Sequence, residues 1–173
     1  MNPVIQAIKE RRSIRRYKPD MVPMELIEQI VEAGTYAPTG KNTQSPIIVV
    51  ITNKELRDRL SQWNAQIMQT KSDPFYGAPV VLLVLANKNI KNHVYDGSLV
   101  MANLMLAAHS LGLGSCWINR AKEEFATEEG QALLREIGIE GDYEGIGHCI
   151  LGYPAMANPK AMARKENWVY YVK

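Results

Sequence analysis

Cysteine is nearly absent from this chain: Cys116 and Cys149 are the only two, each inside an apolar run. That argues against a disulfide framework and suits small core thiols in a reducing compartment. Histidine is almost as scarce. His93, His109 and His148 share no metal-ligand spacing with one another or with the cysteines, so no metal site is expected. Neither sign of charge dominates: 20 Lys and Arg against 18 Asp and Glu leave a formal +2. A dedicated nucleic-acid binder would carry a basic stripe large enough to dominate that total. Long apolar runs are missing too. Leu99 to Leu113 is the longest, and Asn103, His109, Ser110 and Gly112 interrupt it, so it is too short and too polar to span a membrane. Met1 to Gln6 has no signal-peptide pattern. Repeats, low-complexity tracts and linkers are lacking as well. What remains is a single domain over residues 1–173, cytoplasmic, with an ordinary globular composition of 46% hydrophobic residues.

Nucleotide motifs fail on inspection. Gly34 to Thr43 contains Gly40-Lys41, but its glycines are one residue too far apart, and Asn42 stands where a Ser or Thr should hold magnesium. Gly112-Leu113-Gly114 is followed by Trp117 where a third glycine belongs, and it leads from a helix into a strand, the reverse of a dinucleotide site. No G-x-S-x-G elbow surrounds Ser98 or Ser115.

The pattern of elements is clearer. Asn2 and Pro3 open a helix with Val4, Ile5 and Ile8 on one face. Pro23 opens a second, carrying Leu26, Ile27, Ile30 and Val31 until Gly34 stops it. Ile47 to Thr52 is continuous and β-branched, which predicts a strand buried on both faces. Asn53 caps a third helix bearing Leu56, Leu60, Trp63 and Ile67, and Pro79 to Ala86 is a second buried strand. Val94 to Leu111 forms the longest helix, apolar nearly all round, and so belongs in a core or an interface. Leu113 to Ile118 and Gly147 to Gly152 read as strands, Glu123 to Ile137 as one or two helices, and Pro154 to Lys165 as irregular. Trp168 to Val172 reads as a terminal strand, too apolar to be left free, which should pair with a sheet edge here or on a second chain. Strands alternating with helices indicate one α/β or α+β sheet.

Two segments carry the chemistry. Arg11-Arg12-Ser13-Ile14-Arg15-Arg16-Tyr17 concentrates four guanidinium groups on a chain that is otherwise near neutral. Guanidinium forks grip phosphate with paired hydrogen bonds, and a serine hydroxyl can serve a further oxygen. A solvated basic turn is the other reading, but Ile14 and Tyr17 suggest that one side is packed. The loop Ala37 to Pro46 offers Asn42 and Gln44, whose amides suit the edge of a heterocycle, although such residues also simply make turns.

These segments, with His109 to Ile118, Leu151-Gly152-Tyr153-Pro154 and the Arg164-Lys165 pair, together resemble the nitroreductase family of FMN enzymes along nearly the whole chain. The resemblance implies an α+β fold with a central, mainly antiparallel sheet flanked by helices, in an interlocked homodimer with FMN at the interface. It implies that NAD(P)H reduces the flavin and a small acceptor, a nitroaromatic or quinone, reoxidises it in the same cleft by a ping-pong mechanism. The flavin would carry the chemistry, so no catalytic side chain is required. By position, Arg11, Arg12, Ser13 and Arg164 would hold the phosphate, with Lys165 beside them. Arg15 would face the flavin's N1/O2 side, where negative charge collects on reduction. Pro38, Thr39, Asn42 and Gln44 would meet the pyrimidine edge and ribityl chain, and Trp117, Ile118 and Asn119 would lie against the ring. Ser45-Pro46 departs from the Pro-Trp common in the family, and Asn119 replaces an acidic residue of some members. Ser61 to Gly77 would be a short lid, with Trp63 and Tyr76 as aromatic walls. Flavin fragmentation, dehalogenation or dehydrogenation on the same fold, or flavin binding without turnover, are the alternatives.

Overall fold

The computed structural model describes all 173 residues. Four strands, β1 (Pro46–Ile51), β2 (Val80–Asn87), β3 (Gly114–Ile118) and β4 (Tyr143–Gly152), form one antiparallel sheet in the order β1-β2-β4-β3. Six helices accompany them: α1 (Pro3–Glu10), α2 (Met24–Thr35), α3 (Lys54–Met68), α4 (His93–Ser110), α5 (Ala121–Phe125) and α6 (Glu128–Glu136). The expected α+β architecture is present. Side-chain caps fix the starts of three helices, with Asn2 serving α1, Asn53 serving α3 and Thr127 serving α6.

Alternation along β2 divides the core in two. Val81, Leu83 and Leu85 meet Leu60, Phe125 and Leu134 of α3, α5 and α6 on one face of the sheet. Val80, Leu82 and Val84 meet Ile27, Ile30, Met101 and Leu104 of α2 and α4 on the other. The pairing of β2 with β4 contains a bulge, because Val84 opposes Gly147 while Leu85 opposes Gly145. Ile146 is the extra residue, and it packs on Gly97 of α4, where a Cβ would lie only 2.6 Å from its Cγ1.

Several expectations need correction. β1 is an edge strand, and only Ile51 of it is buried. A β-branched run marks a strand but cannot tell a central position from an edge. Gly34 does not end α2. It lies inside the last turn so that α4 can approach, with Leu104 Cδ2 only 2.6 Å from where a Cβ would stand. Val4, Ile5 and Ile8 of α1 are all more than half exposed. α4 buries one face only, leaving Val94, Tyr95 and Leu99 open. Trp168 to Val172 forms no strand within this chain; it is an extended, exposed tail. Ser61 to Gly77, expected as a short lid, is ordered by helix and hydrogen bonds. It comprises the last turns of α3 and a turn tied to Asp73, whose carboxylate accepts from Arg57, Ser61 and the backbone of Phe75 and Gly77. Trp63 packs against Phe125 in the core, while Tyr76 is exposed.

One polar cluster lies in the interior. Asn64 of α3, Glu124 of α5 and His148 of β4 are all fully buried. Asn64 Nδ2 donates to Glu124 Oε1 at 2.6 Å, and Glu124 Oε2 lies 2.6 Å from His148 Nε2. Burial holds the Glu124 carboxyl well above the usual range, to about 8, and the His148 imidazole well below its own, to about 3. One proton therefore sits between them at neutral pH, and the pair carries no net charge.

That proton count sets a pH dependence that does not require assigning the proton to either partner. Unfolded, the two groups bind two protons below 4.5, one from 4.5 to 6.5, and none above. Folded, they bind one from about 3 to about 8. The pair's contribution to stability should rise with pH up to 4.5, stay level to 6.5, and fall from there to about 8. Melting temperatures of the apoprotein measured across this range should show that fall, and Glu124→Gln should abolish it. A Glu124→Gln protein that loses stability between pH 6.5 and 8 as the parent does would contradict the assignment.

Candidate functional site

The arginine run is a strap along the free edge of β3. Ser13 forms a parallel bridge with Ser115, and the Ile14 N–H donates to the Ser115 carbonyl at 3.0 Å. On its other side Lys18 N–H donates to Tyr153 O, and Ala155 N–H donates to Arg16 O, both at 2.9 Å. Gly114 permits the approach, since a Cβ there would meet Ile14 at 2.9 Å. Ile14 and Tyr17 turn inward, and the Tyr17 hydroxyl donates to Ile14 O at 2.6 Å. Burial pushes that phenol's pKa far upward, so Tyr17 stays neutral.

With those two side chains inside, the polar ones are left outside. Arg11, Arg12 and Ser13 are half-buried, and Arg15 and Arg16 are exposed. None of the four arginines pairs with a carboxylate. Arg11 Nη1 is buried with no acceptor at all. A buried guanidinium nitrogen without a partner is costly unless an anion joins it, so this cradle fits a phosphate. Arg12 is different: its Nη1 donates to the carbonyls of Lys9 and Arg11, both at 2.7 Å, and so closes the end of α1. It also borders a cavity of about 210 Å³ lined by His109, Gly112 to Ser115, Pro154, Met156 and Asn158.

The second segment, Pro38 to Gln44, is pinned to the start of α4. Gly40 N–H donates to Asp96 Oδ1 at 2.9 Å, and Gln44 N–H to Thr39 Oγ1 at 3.1 Å. Lys41, Asn42 and Gln44 all have positive φ, a left-handed conformation that is strained for residues other than glycine. Their side chains are exposed, with Gln44 Nε2 donating to Asn42 Oδ1 at 3.2 Å. Asp96 was missed by the sequence reading. A lone carboxylate in the first turn of an otherwise apolar helix was the available signal.

The third segment is the end of β3 and the residues just after it. Trp117 lies against Gly147, with its buried indole N–H unpaired. Ile118 points into the core, so only its backbone can serve a ligand, while Asn119 is exposed. Asn64 holds this segment from inside, its Nδ2 donating to Asn119 O at 2.8 Å and its Oδ1 accepting from Arg120 Nε at 2.9 Å.

These pieces are not all brought together in one chain. The 38–44 loop sits at the N-terminal end of α4, through Asp96. The arginine strap sits at the C-terminal end, beside His109 and Gly112. From Asp96 to His109 the helix advances about 20 Å at 1.5 Å per residue. Arg164 and Lys165 are on the exposed tail, and their side chains contact the tail itself. Arg164 Nη2 donates to Met162 O, and Lys165 Nζ lies 5.1 Å from the Trp168 ring centroid. No group of three His, Cys, Asp or Glu side chains is placed to hold a metal, and no helix is long and apolar enough to cross a membrane.

The chain is 34% identical over 156 residues to a putative NADH dehydrogenase/NAD(P)H nitroreductase of Methanothermobacter thermautotrophicus, covering 88% of this chain and 78% of that protein. It is 26% identical over 183 residues to an FMN reductase [NAD(P)H] of Bacillus subtilis, covering 92% and 69%. The crystal structure of a Bacteroides fragilis nitroreductase with bound FMN superposes with a TM-score of 0.89, covering all of both chains at 28% identity. The model of the nitroreductase family matches residues 8–153, so the chain belongs to the nitroreductase family.

Proposed function

We propose that this chain is an FMN-dependent NAD(P)H oxidoreductase that reduces nitroaromatics, quinones or a related small acceptor. The observation that carries the reading is the buried, partnerless Arg11 nitrogen within a strap of arginines that meet no carboxylate, in a member of this family. Relatives named as NAD(P)H nitroreductase and FMN reductase, and a neighbour containing FMN, support it. When bound, FMN supplies the two-electron chemistry between nicotinamide and acceptor. Arg11 and Ser13 hold the phosphate. Arg15, exposed and unpaired, is the cation available to the electron-rich side of the ring, where it stabilises negative charge. The strained 38–44 loop presents Asn42 and Gln44 as preset hydrogen-bonding groups, and residues 117–119 offer backbone. A reducing cytoplasm suits the two buried free thiols.

The site is completed by a second copy of the chain. About 20 Å of α4 separates the arginine strap from the amide-bearing loop. The strap of one protomer and the loop of the other would then grip one cofactor. The open apolar faces of α1 and α4 and the apolar tail from Trp168 to Val172 support an interlocked homodimer, since a monomer rarely leaves so much exposed. Arg164 and Lys165, unattached in one chain, would reach a phosphate site once the tail is seated.

Purified protein should be yellow, bleach anaerobically with NAD(P)H alone, and recover its colour with a quinone or nitroaromatic. Initial rates should give parallel double-reciprocal lines. Colour that does not respond to either nicotinamide would leave a flavin-binding protein without turnover.

A contrast between two arginines tests their roles. A charge-assisted hydrogen bond contributes about 1.5–3 kcal/mol, so Arg11→Ala should weaken FMN binding roughly ten- to a hundredfold. Riboflavin, lacking the phosphate, should not distinguish that variant from the parent. Arg15→Met should instead lower the flavin's reduction potential with a smaller loss of affinity. Equal losses of riboflavin and FMN in Arg11→Ala would make the residue a support of the fold.

Sedimentation should show a dimer at micromolar concentration, and dilution should release FMN and dissociate the dimer together. A folded, FMN-loaded monomer would overturn the two-chain site.

A further inference from the structure

A buried amide on α3 grips the backbone just after β3. Asn64 has no exposed surface, yet it uses three of its hydrogen-bonding positions on residues 119, 120 and 124. Its orientation is fixed chemically. The Asn119 carbonyl can only accept and Arg120 Nε can only donate, so the amide cannot flip without opposing like groups. Glu124 Oε1 takes the second N–H, and His148 holds the far side of Glu124, so the amide cannot rotate either.

Its effect on the backbone follows from peptide geometry. The bond between Asn119 and Arg120 is trans, and the carbonyl of one residue and the N–H of the next point in opposite directions. With Asn119 O turned inward to Asn64, the Arg120 N–H is turned outward. That N–H donates to no group within the chain. Arg120 itself has φ 80° and ψ 0°, a left-handed conformation that a non-glycine residue holds only when its surroundings enforce it. Here the enforcement comes from Asn64, through both the preceding carbonyl and the guanidinium.

Resting on the cofactor reading, we propose that Asn64, locked by Glu124 and His148, is a positioning residue that presents the Arg120 backbone N–H as a hydrogen-bond donor to the flavin ring. Asn64 does not itself touch the cofactor. Its contribution is that the donor is already aimed before the ring arrives, which a free loop end could not provide. The ligand atom this calls for is a hydrogen-bond acceptor, which on the flavin ring is a nitrogen or a carbonyl oxygen.

Amide hydrogen exchange on the dimer, with and without FMN, tests this directly. In the parent, FMN should protect the Arg120 amide along with the amides near Ser13. Protection at Ser13 but not at Arg120 would overturn the proposal while leaving the cofactor reading intact. No protection anywhere, with no FMN bound, would instead remove the reading on which it rests. In Asn64→Leu, the Arg120 amide should lose its FMN-dependent protection, and bleaching by NAD(P)H should slow about tenfold while FMN affinity changes less. Unchanged protection at Arg120 in that variant would overturn the proposal. Should Asn64→Leu not fold, Arg120→Gly provides the decision, because glycine adopts this φ without strain. That variant keeps the Asn64 grip on Asn119, so the amide at 120 should remain protected by FMN. Loss of protection there would show that the arginine side chain, and not Asn64, sets the peptide.

Discussion

Strand β2 has no exposed face and no free edge, and the rest of the structure is arranged to keep it so. Each residue from Val80 to Ala86 is at most 1% exposed, and both neighbours, β1 and β4, are hydrogen-bonded to it. Fully burying one such aliphatic side chain contributes about 1.5–3 kcal/mol, so covering both faces is worth two helical layers. α3, α5 and α6 supply one, and α2 and α4 supply the other. Because side chains alternate, a one-residue slip would exchange the two cores. The bulge at Ile146 absorbs such a slip at one place, where Gly97 makes room.

The edges of the sheet are treated unequally, and function follows from the difference. β3 has its outer edge covered by the arginine strap, so the backbone pairing that blunts an edge also fixes where four cations stand. Ile14 and Tyr17 are the anchors, and inward alternation of those two leaves the arginines nowhere to go but out. β1 has no such cover in one chain, and neither do the outer faces of α1 and α4. α4 is the element common to the buried core, the open surface and both halves of the candidate site. Its length, about 20 Å from Asp96 to His109, separates the arginine strap from the 38–44 loop.

Much of this was legible in the sequence, for identifiable reasons. Continuous β-branched runs located β1 and β2, and Asn2 and Asn53 announced the helices they cap. The arginine run was readable because Ile14 and Tyr17 interrupt it as packing residues would. What could not be read depends on tertiary pairing. The sequence of β1 is as apolar as that of β2, and only the strand order makes one an edge. Gly34 resembles a helix stop until Leu104 is seen to need its space. Asn64, Glu124 and His148 are separated by 60 and 24 residues, and each alone is an ordinary surface residue type. The terminal run from Trp168 to Val172 reads in the sequence as a strand that should pair with a sheet edge, but in the structure it lies exposed. Within one chain it pairs with neither edge of the sheet.

The buried cluster also bears on how the fold tolerates polarity at its centre. An acid and an imidazole in an apolar core are expensive, and matched apolar residues often serve stability as well or better. Here the expense is limited because one proton is shared and the pair stays neutral, and because Asn64 occupies the remaining carboxyl oxygen. The cluster therefore behaves as a rigid polar strut through the core, from β4 across α5 and α3. It ends on a carbonyl at the surface. Leucines in its place could fill the volume, but they have no means of choosing which way a peptide plane faces. Under the cofactor reading proposed above, that choice matters at Asn119, because Ile118 is committed to the core and only the backbone there would meet a ligand.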